Sequence, residues 1–166
     1  LDRGLDNFDL MSPSLSGSFA FEANQAHSSQ VNTVQDDLLW FNKYLKGQNI
    51  TWYKNVTPTC SLSSNGYPMV TIAPDAPSSL SAIQIWYALE EPSDTSRTWL
   101  SAAPINNGNG TWSAATPVEN IYRYVFSYGL LTYNNTVAVC TRLGAAIPNK
   151  LGSAVAKPTT YFDPSS

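Results

Sequence analysis

Three groups of side chains in this sequence could carry chemistry: a lone histidine with carboxylates upstream, a pair of cysteines, and four asparagines in glycosylation sequons. His27 is the only histidine. An imidazole titrates near neutral pH and serves as a general base when a carboxylate holds it in the correct tautomer. Asp6, in Gly4-Leu5-Asp6-Asn7-Phe8-Asp9, is the first candidate for that carboxylate and Asp9 the second, though only 21 positions separate Asp6 from His27. A nucleophile is missing. There is no G-x-S-x-G elbow, and Leu15-Ser16-Gly17-Ser18 does not supply one. No carboxylate pair stands out for glycosidic hydrolysis. One histidine and two isolated cysteines have no metal-ligand spacing, so neither a metal nor a cofactor is expected. By itself the chain is expected to be catalytically inert, and the plainer reading of His27 is a surface residue.

The asparagines and cysteines speak to the compartment. Asn49-Ile50-Thr51, Asn55-Val56-Thr57, Asn109-Gly110-Thr111 and Asn134-Asn135-Thr136 are N-x-T sequons, each in a turn-like or loop-like stretch. An Asn- and Thr-rich sequence makes one or two by chance; four point to a secreted, extracellular glycoprotein. Cys60 and Cys140 are the only cysteines. They could be two buried thiols. In an oxidising compartment they are expected to form a disulfide closing a loop of about 80 residues, which would stabilise the fold by a few kcal/mol.

The elements that must position these groups fall into two parts. Ser18 to Asn24 alternates, with Phe19 and Phe21 on one face, and reads as a strand ending in the polar turn that holds His27. The period then changes. Val31, Val34, Leu38, Phe41 and Leu45 recur at steps of three and four, the stripe of an amphipathic helix from about Asn32 to Lys46. Asn32 and Gln35 have capping-box spacing, Asp36 and Asp37 lie early, Lys43 and Lys46 late, and Gly47 is a natural stop. Val34, Leu38, Phe41 and Leu45 are expected to be buried, and Trp40 and Tyr44 widen the apolar surface enough to call for packing on two sides.

From residue 60 onward the pattern is all-β. Pro68–Ala73 reads as a strand, Ile83, Ile85 and Tyr87 as the inward face of a second, and Arg97–Leu100 as a short third. Thr111–Ala114 follows a plain turn. The run Ile121–Tyr128 is bulky on both faces and should be central; Val137, Val139 and Thr141 form the last strand. The expected fold is mainly β, a fibronectin-III-like or immunoglobulin-like antiparallel β-sandwich preceded by a strand-turn-helix segment. The expected organisation is 1–48 for that segment, 49–59 for a linker, 60–147 for the sandwich and 148–166 for an extended tail.

Composition excludes some classes of function. Hydrophobic residues make up 43% of the 166, so a core can form, while charged residues are only 13%, about half the usual share. Net charge is −3 with no basic cluster, so no nucleic-acid footprint exists. No apolar run is long enough to span a membrane. The chain opens on Leu1 rather than Met, and an upstream segment is expected.

Asn24-Gln25-Ala26-His27-Ser28 followed by Trp40-Phe41-Asn42-Lys43-Tyr44-Leu45-Lys46-Gly47 resembles the end of a secreted α/β-hydrolase. There the base lies beyond the last sheet strand, in the loop entering the final helix. Ile85-Trp86-Tyr87-Ala88 with Asp94 to Trp99, Gly110-Thr111-Trp112-Ser113-Ala114, and Tyr124-Val125-Phe126-Ser127-Tyr128 with Tyr133 and the strand to Cys140 resemble the β-sandwich appended in the PhoPQ-activated pathogenicity-related hydrolases. The resemblance spans residues 20 to 147. It implies that His27 is a general base, that Asp6 orients it, and that the partner is an upstream hydrolase segment carrying the serine of an esterase or peptidase. The alternative is a non-catalytic extracellular module for adhesion, assembly or carbohydrate binding, with other subunits or a glycan or protein ligand as partner. Five Trp and nine Tyr could then form a stacking surface, unless Trp52, Trp86, Trp99 and Trp112 belong to the core.

Overall fold

The computed structural model describes Ala23 and residues 33–90 and 98–158. His27, Asp6, Asp9, the strand expected around Phe19 and Phe21, and the Asn32 cap lie outside the described residues.

The described chain is mainly β: two antiparallel sheets and one α-helix. The helix, α1, spans Thr33–Tyr44. The strands are β1 (Thr59–Leu62), β2 (Pro68–Ile72), β3 (Leu80–Leu89), β4 (Leu100–Ala102), β5 (Ile105–Asn106), β6 (Trp112–Ala115), β7 (Val125–Tyr133), β8 (Val137–Cys140) and β9 (Gly144–Ala146). One sheet runs β1-β2-β6-β5; the other runs β4-β3-β7-β8, with β9 also on β7.

Residue parity sorts the side chains. On β3, Ile85 and Tyr87 join the main core while Trp86 and Ala88 face the opposite side. On β7, Val125, Leu131 and Tyr133 point to the core; Phe126, Tyr128 and Leu130 do not. Val70 and Ile72 of β2 and Ala114 of β6 complete that core from the other sheet, giving a sandwich-like arrangement. A second, smaller cluster of Ala88, Trp99, Tyr128 and Cys140 lies on the far face of β3 and β7, with Ala23 and Leu143 packed on it. Large residues on both faces make β7 central: it pairs with β3 on one side and with β8 and β9 on the other. Strand β9 falls in a Gly- and Ala-rich stretch whose short side chains give no alternation to read.

β8 is an edge strand, and edge strands present unpaired backbone groups. Here the chain ahead of the sandwich covers them. The Asp36 Oδ1 accepts the Ala138 N–H at 3.0 Å. The Asn55 amide donates to the Cys140 carbonyl at 2.6 Å, and the Arg142 N–H donates to the Val56 carbonyl at 2.8 Å. Between them, Tyr53 enters the core, its ring stacked on Tyr133 at 3.8 Å. The stretch read as a linker is thus a strap anchored along the sandwich edge.

The cysteine pairing expected from the sequence does not form: Cys60 and Cys140 are not bonded to each other. Cys60 sits opposite Val70 in β1 and faces inward, with its thiol 3.9 Å from the Ser127 hydroxyl. Val139 points into the same core, so its neighbour Cys140 must point out, beside Trp99 and Tyr128. A strand alternates its side chains, and Cys140 has the wrong parity to reach Cys60.

Candidate functional site

The helix, where the base-bearing segment was expected to lead, departs from the sequence expectation in its packing. Its end behaves as read: Gly47 takes φ +66 and the Gln48 N–H reaches back to the Asn42 carbonyl at 3.0 Å. The contact face is different. Asp36 and the half-buried Leu39 meet the β8 edge, and Lys43 donates to the Ile50 carbonyl of the strap. The stripe expected to be buried is exposed, with Leu38 at 54%, Phe41 at 49% and Leu45 at 71%. Trp40 and Tyr44 are also exposed, their rings 5.0 Å apart and tilted, with Phe41 edge-on to Trp40. The physical reason is the polar docking bond. Holding Asp36 over the Ala138 N–H turns Leu39 inward and carries the positions around Leu38, Phe41 and Leu45 off the sandwich. Nothing is described for the side chain of Val34.

Leu38, Trp40, Phe41 and Tyr44 of the helix, with Leu45 in the turn that ends it, form an exposed surface of the kind that marks an interaction site. A second aromatic surface lies at the entry to β7. Tyr122 is 70% exposed, Tyr124 43%, and the Tyr124 ring stacks on half-buried Phe126 at 6.0 Å. The four tryptophans weighed between a stacking surface and the core do not join it in the open: Trp99 is buried, and Trp52, Trp86 and Trp112 are half-buried. Only the parity of Tyr122, Tyr124 and Phe126 could have signalled this surface in the sequence.

Burial shifts titratable groups at the docking edge and inside the sandwich. Burial raises the Asp36 carboxyl above its ordinary value, the Ala138 hydrogen bond opposes this, and the neighbouring Asp37 adds to it. Burial likewise raises the Cys60 thiol against a lowering hydrogen bond to Ser127, which keeps the thiol protonated and unreactive. The cavity beside Cys60, lined by Val70, Val125, Ser127 and Pro148, holds only about 10 Å³, too small for any substrate. Burial pushes the Tyr133 phenol up to about 12. Among the described residues no three His, Cys, Asp or Glu side chains stand together as a metal site would require. No helix there is long and apolar enough to cross a membrane.

Of the residues singled out by the sequence, the structure places the two cysteines apart and sets all four sequon asparagines around the strap and the loops; His27 and Asp6 lie outside the described residues. No family model, curated protein or solved structure matches this chain.

Proposed function

We propose that this chain is the C-terminal portion of a secreted, serine-hydrolase-like glycoprotein of esterase or peptidase type, resembling the PhoPQ-activated pathogenicity-related hydrolases. In this reading α1 is the last helix of the hydrolase domain, and the two sheets are its appended fibronectin-III-like or immunoglobulin-like sandwich. One observation carries the proposal: a helix fixed to the sandwich by a single edge exposes Leu38, Trp40, Phe41, Tyr44 and Leu45 on the rest of its surface. Such a face is what a terminal hydrolase helix lays against its own sheet. His27, in the segment entering that helix, would take the proton of an upstream serine and return it to the leaving group, with Asp6 holding its tautomer. The chain alone would be inert, since it supplies base and acid without a nucleophile.

Two measurements test the reading. The native polypeptide, reduced and deglycosylated, should have a mass well above 18.1 kDa. His27→Ala in that full-length protein should abolish esterase activity and leave the melting temperature unchanged. A native mass of 18.1 kDa, or full activity in the variant, refutes it.

The exposed Tyr122 and Tyr124 with Phe126 favour a second reading, a non-catalytic extracellular module that stacks a glycan on aromatic rings. Quenching of intrinsic fluorescence by oligosaccharides, lost in Tyr124→Ala, would support it; a flat titration would remove it.

A further inference from the structure

The four sequons are equivalent in the sequence and unequal in the fold. An N-linked oligosaccharide is bulky, belongs on the surface and is joined through the asparagine Nδ2. That nitrogen must therefore look into solvent once the chain has folded.

Asn109 meets this condition. It is exposed in the turn between β5 and β6, and its Oδ1 accepts both the Thr111 N–H at 3.1 Å and the Thr111 hydroxyl at 2.7 Å. Both bonds use the oxygen, so the nitrogen is turned away from the loop. Asn49, just past the end of α1, is exposed, and its side chain has no hydrogen-bond partner among the described residues. The other two amides are committed. Asn55 is half-buried, its Oδ1 is buried, and its Nδ2 lies 2.6 Å from the Cys140 carbonyl, beside the Val56–Arg142 bond that fastens the strap. Asn134 is exposed as a residue, but its backbone is left-handed at φ +50 and its Nδ2 donates to the Tyr53 hydroxyl at 2.8 Å. That hydroxyl belongs to the ring stacked on Tyr133 in the core.

We propose that the folded protein carries N-linked oligosaccharides at Asn49 and Asn109, and that Asn55 and Asn134 are structural asparagines whose amide nitrogens tie the strap to the sandwich. The inference deepens the secretory reading and rests on it for its biology. Its test does not. The full 166-residue chain is secreted from a glycosylating eukaryotic cell behind a cleavable signal peptide, released from its sugars by an amidase in heavy-oxygen water, and mapped by peptide mass. Relative to a sample incubated in the same water without the amidase, extra isotope-marked aspartate is expected at positions 49 and 109 only. Marking at 55 or 134 to the same extent as at 109 overturns the proposal, as does the absence of marking at 49 and 109. The structural half is read in sugar-free protein made in bacteria: Asn55→Ala should lower the melting temperature by about 5 °C, while Asn49→Ala leaves it unchanged. Equal melting of Asn55→Ala and the parent overturns that half. The secretory reading fails separately, on a native protein that bears no sugar at all.

Discussion

Between the two sheets, Ile72, Leu131, Tyr133 and Val139 have lost all contact with solvent, whereas the equally apolar Leu38 and Phe41 of α1 and Leu45 just after it keep about half or more of theirs. The two regions use the same kinds of side chain. They differ in what fixes their orientation. In the sandwich, strand pairing fixes the facing sides, and the hydrophobic effect and the hydrogen bonds agree. On the helix, one carboxylate bonded to a strand edge sets the rotation, and most of the apolar stripe is left without cover. Burying the rest of that stripe would contribute on the order of 1 kcal/mol per residue, a reservoir available to whatever packs there.

The largest expected effect lies in the core. Leu131→Ala should cost about 3 kcal/mol, by lost transfer energy plus the cavity left between tightly packed sheets, measured as a shift in the urea midpoint. A cost below about 1 kcal/mol would mean that the core is not closed as described.

Cysteine labelling comes next and is all-or-none. In denatured, unreduced protein both Cys60 and Cys140 should react with a thiol reagent, because their side chains belong to different faces. In native protein both should react slowly. Two unreactive cysteines in the denatured chain would restore the disulfide and require a different register for β8.

The docking bond of α1 should be pH-dependent. Burial raises the Asp36 carboxyl above 3.8, so its stabilising contribution is complete below that value and is lost as pH rises through the raised one. Asp36→Asn should remove this dependence and be no less stable at pH 7, since the amide oxygen can still accept the Ala138 N–H. Parallel denaturation curves for both proteins from pH 3 to 7 would show otherwise.

The smallest effect sharpens the comparison most. Leu38→Asp should change the stability of this chain by less than about 0.5 kcal/mol, because Leu38 is exposed. In a longer native protein with α1 covered, the same change should cost several kcal/mol by burying an unpaired charge. Equal, small costs in both would show that the stripe faces solvent throughout.

Much of the fold was legible because its signals are local. Alternation at Ile83, Ile85 and Tyr87 marked β3, since a strand's side chains report its two environments directly; the run Ile121–Tyr128 marked only the start of β7, which begins at Val125 and runs on to Tyr133. The three-four spacing from Val34 to Leu45, with Gly47 after it, marked a helix for the same reason. The strap was not legible. Asp36, Tyr53 and Asn55 act on partners 102, 80 and 85 positions away, and no local pattern encodes such a pair.

By itself the sequence determined strands β2, β3, β6 and β8, where the helix ends, and that it has an apolar side, each from interactions within a few residues; β1, β5 and β9 carry no such local signal. Only the tertiary structure decided which way those elements turn. A helix stripe predicts burial against something, but the neighbour and the rotation come from the open edge of β8 and the carboxylate that caps it. The cysteines make the same point. Two thiols at opposite ends of a sandwich sequence look like a bridge until the register of β8 assigns Val139 to the core and so sends Cys140 to the other face. Register is a property of paired strands, and a single strand does not contain it.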